Sequence, residues 1–307
     1  MSLAHICNTF FEKELENPSP RPLIDWLRSH PVVLQLQFLP LLYAAPNDLI
    51  LVSDLPENPD PRLRLIEPTQ LPIETWGPSL AISRWAKQPI PNWETIRTLN
   101  SKIFSFTQSP QLPGAALLTD AQEAAAWMAK TPGPKVLKTP FGTAGNGHIH
   151  NFNRPLQFPL IGEPWVERLL DFSTQWKDGE LLGATIFEND AKGSYKNTLA
   201  GPPEKLFGSY LWALEEHLNI ARPLITHFPR GHVGIDAFIY RWEGKILLHP
   251  IVEINARKTM SWVALQMQQN RCLRFTYSHS PNGLLPSRLK VNGKTLQFSR
   301  NVVYSSE

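Results

Sequence analysis

The chain has 307 residues, 42% hydrophobic and 19% charged, enough for two packed units with cores of their own and unlike a disordered segment. A formal net charge of +3, without any Lys/Arg-rich run, gives no electrostatic footprint for nucleic acid. Cys7 and Cys272 are the only cysteines and lie far apart, which points to a reduced cytoplasmic setting rather than a disulfide framework. The longest apolar run, from Val32 to Ala45, is broken by Gln35, Gln37 and Pro40, far short of a membrane span. The N-terminus lacks the basic-then-apolar layout of a signal peptide.

Proline is frequent, 29 residues against a usual share of about 5%, and much of it falls between 18 and 96, which predicts short connections there. Phe10, Phe11 and Leu15, then Leu23, Trp26 and Leu27, recur at helical spacing. Val32 to Leu36 and Leu49 to Val52 are β-rich runs bounded by turn formers and read as strands of a small α/β layer. Pro78 to Lys87 reads as a helix. A second unit opens near Asn92, with an Asn100-Ser101-Lys102 helix start. Lys102 in a first turn opposes the helix dipole, so it is better placed for an anion than for helix stability. Thr119 to Gln122 is a capping box before a helix over Ala121 to Ala129.

Lys135 to His148 is the stretch that organises the rest. Val136 and Leu137 form a short apolar strand that Lys138 ends with an exposed positive charge. Gly142, Gly145 and Gly147 follow, with Thr143 and Asn146 between them. Glycines at that density let backbone N–H groups turn toward an anion, and a preceding lysine suits phosphate. The spacing is neither the Walker A pattern nor the dinucleotide fingerprint. By itself the stretch reads equally as a glycine-rich hairpin tip.

From Glu163 the pattern is antiparallel: Trp165 to Trp176 and Leu181 to Phe187 flank the turn Asp178-Gly179. A polar turn separates Phe187 from Tyr195 to Ala200, and a helix is expected over Leu206 to Leu218. Val233 to Tyr240 and Ile246 to Ile254 form a hairpin, a helix follows over Met260 to Gln268, and Asn292-Gly293 marks a turn in the tail. Glu253 and Asn255 alternate on one face of the second hairpin strand, and a hairpin of this length brings Asp236 beside them. Two carboxylates and an amide oxygen suit Mg²⁺ that keeps waters. A solvated face with ordinary ion pairs is the competing reading.

Taken together these motifs resemble the ATP-grasp superfamily. The matching residues are Lys102, Lys138 with its 142–147 loop, Glu167-Arg168-Leu169 with Asp171, Gly234-Ile235-Asp236, and Glu253 to Arg257. The match covers roughly residues 98 to 268. The resemblance implies an α/β and α+β architecture: a Rossmann-like pre-domain over 1–97, followed by a two-lobed ATP-grasp fold. Its first lobe would span 98–162 and carry the glycine-rich lid; the second, 163–307, would carry the metal site and tail.

Residue by residue, it implies that Lys102 and Lys138 contact nucleotide phosphates. Gly142, Thr143, Gly145, Asn146 and Gly147 would form a lid over them. The chain at Val166, Glu167, Arg168 and Leu169 would hold the adenine, with either Glu167 or Asp171 at the ribose. Asp236, Glu253 and Asn255 would hold one or two Mg²⁺ ions, or Mn²⁺. Arg257 would face the γ-phosphate or a substrate carboxylate. The implied activity is an ATP-dependent ligase joining a small-molecule carboxylate to an amine or thiol through an acyl phosphate. A small-molecule kinase and a silent nucleotide-binding module are the alternatives. The implied partners are those substrates, with no nucleic acid or membrane, and a homodimer is compatible.

Overall fold

The computed structural model describes residues 2–90, 92–142, 148–149, 156–190, 195–268, 271–280 and 282–306. In chain order the elements begin with β1 (Ala4–Ile6), α1 (Phe11–Glu16), α2 (Leu23–Leu27), α3 (Pro31–Leu36), β2 (Leu49–Val52), β3 (Leu63–Leu65), β4 (Ile73–Thr75) and α4 (Leu80–Ala86). They continue with α5 (Trp93–Leu99), α6 (Lys102–Thr107), β5 (Ala116–Leu118), α7 (Ala121–Lys130), β6 (Lys135–Lys138), β7 (His148–Ile149), β8 (Leu160–Pro164), β9 (Glu167–Lys177) and β10 (Glu180–Asn189). Then come β11 (Tyr195–Ala200), α8 (Pro203–Phe207), α9 (Leu211–Ile225), β12 (His232–Trp242), β13 (Lys245–Asn255) and α10 (Met260–Met267). The tail holds β14 (Leu273–His279), β15 (Arg288–Val291), β16 (Lys294–Gln297) and β17 (Arg300–Ser306).

The chain divides into two compact units, one of Met1–Trp93, Lys196–Ala200 and Arg257–Glu307, the other of Glu94–Tyr195 and Gly201–Ala256. The first is built on a parallel sheet in the order β3-β2-β1-β4. Parallel strands are covered on both faces and read as continuous apolar runs, and β2, Leu-Ile-Leu-Val, is such a run. Ile50 and Val52 join a core with Leu34, Phe38 and the α10 residues Trp262 to Leu265, whereas Leu51 joins Ala4, Ile6, Leu27 and Ile82 in another. Leu51 alternates with Ile50 and Val52 because successive strand side chains point to opposite faces. In the tail, β14 pairs with both β11 and β17, and β15 with β16 form a hairpin. Its turn has Asn292 and Gly293 at φ 49° and 80°, the backbone a two-residue hairpin demands. Residues 257–307, expected in the second lobe, pack within the first unit.

Val32 to Leu36, expected as a strand, is the helix α3. Pro31 takes its first turn, where a missing N–H costs nothing, and the His30 side chain caps it by accepting from the Val32 N–H. Those end signals override the β propensity of the two valines. The helix expected over 206–218 is two: α8 ends at Gly208, with φ 50°, and α9 runs on to Ile225. The capping box lies one residue later than expected, with Asp120 accepting from Glu123 N at 2.8 Å and Glu123 accepting from Thr119 N at 2.7 Å.

The second unit contains two antiparallel sheets. The smaller has the order β5-β8-β6-β7, with α7 packed on it. Trp127 of α7 lies over Gly162, where an added Cβ would come within 2.7 Å of the indole. The strands β13, β12, β9 and β10 are neighbours in that order. One face of them is apolar: Phe172, Ala237 and Ile239 pack on Ala213 and Leu214 of α9. Further along, Trp176, Val233 and Ile235 pack on Ala221 and Ile225. Alternation then sends Asp171, Ser173, Asp236, Glu253 and Asn255 to the opposite face. Among the described residues no helix is long and apolar enough to cross a membrane.

Candidate functional site

Register places the acidic residues. Asp236 pairs directly with Glu253 on β13 and with Ser173 on β9, and Gly234 pairs with Asn255. The β12–β13 ladder shifts between Asp236 and Phe238, so the same face continues with Phe238 opposite His249. Asp236 accepts a 2.6 Å bond from the Ser173 hydroxyl and a 3.2 Å bond from the Asn255 amide. Gln175 in turn donates to the Ser173 oxygen at 2.7 Å. Each donor comes from an adjacent strand, so the carboxylate is oriented by the sheet itself.

Helix α6 brings the first lysine. Ser101 caps it by accepting from Ile103 N, and Ser105 accepts from Ile254 N at 3.0 Å, fixing the helix along β13. Asn100 accepts from Ala256 N at 2.9 Å, which holds the end of that strand. Lys102 then donates through Nζ to Glu253 Oε1 at 2.6 Å and to the Gly142 carbonyl at 2.8 Å. Its backbone N–H donates to the Pro140 carbonyl at 2.8 Å. Lys102 therefore joins the carboxylate face to the start of the glycine stretch.

The second lysine differs from its expected setting. Lys138 is not an exposed strand end: its side chain is 6% exposed and contacts Glu163 Oε2 at 2.5 Å, with Glu163 only 7% exposed. Burial presses the Lys138 pKa below the ordinary lysine value, while the Glu163 charge opposes that fall. Beside this pair, Arg168 lies 4.0 Å over the Phe238 ring and donates to Asp171 at 2.8 Å. Burial raises the Asp171 pKa against the pull of Arg168. His249, stacked edge-on against Phe238, is held neutral by burial, with a pKa of about 4.

Lys102, Lys138, Arg168, Asp171, Asp236, Glu253 and Asn255 all belong to the second unit. Glu167 is 61% exposed and pairs with Arg241 at 3.1 Å. Glu167, Arg168 and Leu169 lie within β9, with Glu167 and Arg168 on rungs opposite Arg241 and Tyr240. Arg257 belongs to the first unit, where it is ion-paired with Glu12 and donates to the Lys258 carbonyl. Gly142, at φ 141°, is described. Thr143, Gly145, Asn146 and Gly147 lie outside the described residues.

For a divalent cation, the donors are the Asp236 and Glu253 carboxylates and the Asn255 amide oxygen. Among the described residues, no group of three or more His, Cys, Asp and Glu is clustered for a metal. This all-oxygen set fits Mg²⁺, which takes one or two carboxylates and keeps several waters or phosphate oxygens, better than a soft or fully protein-caged ion. Glu163 and Ser173 were missed in sequence. The available signal was a glutamate inside the apolar strand Leu160–Pro164, close to a strand that ends in lysine.

No family model and no curated protein sequence matches the chain. Solved structures do. N5-carboxyaminoimidazole synthetase from Staphylococcus aureus, complexed with ADP, superposes with a TM-score of 0.52 at 11% identity, covering 90% of this chain and 82% of that one. An ADP complex of N5-carboxyaminoimidazole ribonucleotide synthetase gives 0.52 at 10% identity, covering 90% and 81%. The chain has the ATP-grasp fold. At such low identity the likeness concerns the fold alone. Within that ATP-grasp fold, what the described residues bring together is a carboxylate–amide face, two lysines and an Arg168–Asp171 ion pair.

Proposed function

We propose that the protein is an ATP- and Mg²⁺-dependent ligase that joins a carboxylate to an amine or thiol and releases ADP and phosphate. The observation that carries the reading is the polar sheet face on which Asp236, Glu253 and Asn255 converge with Lys102. Ammonium groups of Lys102 and Lys138 offer point charges for phosphate oxygens. A bound Mg²⁺ would supply charge neutralisation at the transferring phosphoryl group. The Lys102–Glu253 contact is compatible with that, since the ammonium holds the carboxylate in place and can turn to phosphate.

In this reading Asp171, pinned by Arg168 beside Phe238, takes the ribose or adenine-side role more readily than the exposed Glu167. Arg257, ion-paired with Glu12 within the first unit, is not part of this reading. The carboxylate oxygen attacks the γ-phosphorus, the bond to the β-phosphate oxygen breaks, and ADP leaves. The amine then attacks the acyl carbon, loses a proton and expels phosphate. No protein nucleophile is used.

Hydroxylamine trapping tests the chemistry without knowledge of the amine. With ATP, Mg²⁺ and a panel of small carboxylates, at least one should yield a hydroxamate together with stoichiometric ADP and phosphate. A stable phosphorylated product with no hydroxamate would instead establish a kinase.

A further inference from the structure

We infer that Glu163 is a positioning residue whose carboxylate keeps Lys138 charged and in place at the end of β6. The inference rests on the nucleotide-binding reading for its purpose and on geometry for its substance. β6 and β8 are antiparallel neighbours with Val136 opposite Glu163 and Lys138 opposite Ile161. Residues two apart share a face, so Lys138 and Glu163 are diagonal neighbours on one side of the sheet. The 2.5 Å contact and exposures of 6% and 7% leave this ammonium little water to stay charged by.

The surrounding charges explain why the acid matters. Lys102 from α6 and Arg168 from β9 both favour loss of the Lys138 proton, as does burial. Asp171 from β9 also faces Lys138 but is committed to Arg168 at 2.8 Å. His249 from β13 is neutral. Glu163 is therefore the one acid among the described residues in direct contact with Lys138. The other lysine is built differently: Lys102 and Glu253 are 10% and 24% exposed, and the Gly142 carbonyl takes a second Lys102 proton. Lys138 depends on its acid as Lys102 does not. A ligand-binding lysine that stays charged when buried keeps phosphate affinity as pH rises.

The test titrates the Lys138 Cε resonance in isotope-labelled protein, assigned by its loss in Lys138→Arg. Glu163→Gln should lower the titration midpoint by about 1 to 3 pH units, the scale of an opposite charge in contact. An unchanged midpoint overturns the inference. Calorimetry with ATP then asks what the charge is for. Wild type should hold its affinity from neutral into alkaline pH, Glu163→Gln should lose affinity progressively as pH rises, and Lys138→Arg with Glu163→Gln should restore a flat profile. An equal loss at every pH means that Glu163 is merely structural. Because the resonance is read without nucleotide, a lowered midpoint in a chain that binds no ATP supports the charge-holding role and sinks the nucleotide reading instead. Should Glu163→Gln fail to fold, Glu163→Asp keeps the charge on a shorter arm. It should give an intermediate midpoint, and a midpoint equal to wild type overturns the inference.

Discussion

The two faces of the β9–β12–β13 strands are made by the same backbone and obey different rules. On one, Phe172, Ala237 and Ile239 meet α9, and nothing polar is asked of them. On the other, Ser173, Asp236 and Asn255 are oriented by hydrogen bonds between neighbouring strands, Asp171 by Arg168 of its own strand and Glu253 by Lys102 of α6. Burying charge costs free energy unless it is paired, so the polar face contributes little net stability and, in the proposed reading, supplies chemistry. The apolar face holds the strands in the register that makes the polar one. Alternation thus separates folding from function along the same residues, one side chain apart.

The largest expected effect breaks the apolar side. Phe172→Ala removes a fully buried ring that packs on Phe207 and His217 and should lower unfolding free energy by about 3–5 kcal/mol, measured by denaturant titration. A loss under about 1 kcal/mol would place that ring outside the core that sets stability.

Next in size is acid sensitivity. His217 lies buried on the apolar side, and its Nδ1 must donate to the Pro250 carbonyl at 2.8 Å. Nε2 then accepts from Thr174 at 2.7 Å. Burial lowers its pKa from 6.5 to about 4. The folded value lies below the unfolded one, so unfolded chains take up the proton first. Stability is intact above pH 6.5 and falls as pH drops toward about 4, by roughly 3 kcal/mol at about 1.36 kcal/mol per pH unit. His217→Gln should flatten that part of the pH–stability curve, and a curve with wild-type slope would contradict the assignment.

Lys138→Ala sharpens the contrast from the polar side. ATP affinity should fall by about 1.5–3 kcal/mol, the range for a hydrogen bond to a charged group, while adenosine affinity stays the same. Its melting temperature should also drop, since Glu163 is left buried without its partner. An exposed strand-end lysine would have left it unmoved.

Much of this arrangement was legible where local chemistry decides. The turns at Asp178-Gly179 and Glu243-Gly244 have φ of 52° and 91°, and of 48° and 75°, and glycine after a polar residue announces such turns. The alternation of Glu253 and Asn255 was visible for the same reason. What was hidden depends on distant partners. β1 is too short to stand out and is stabilised by β2 and β4 on either side. The Asp236–Glu253 rung rests on a ladder that shifts just beyond it, and the lysine of that site comes from a helix 151 residues away in sequence. Glu163 reads as one more strand residue until β6 is laid beside β8.

The central claim is that the polar face holds ATP through Mg²⁺, and calorimetric titration of ATP into wild type and Glu253→Gln, each with and without Mg²⁺, tests it most directly. The glutamine keeps the shape and a hydrogen bond to Lys102 while removing the charge. Mg²⁺ should tighten ATP binding to wild type by about tenfold or more, ~1.4 kcal/mol, and leave binding to Glu253→Gln nearly unchanged. The same gain in both proteins, or no ATP binding by wild type, would contradict it.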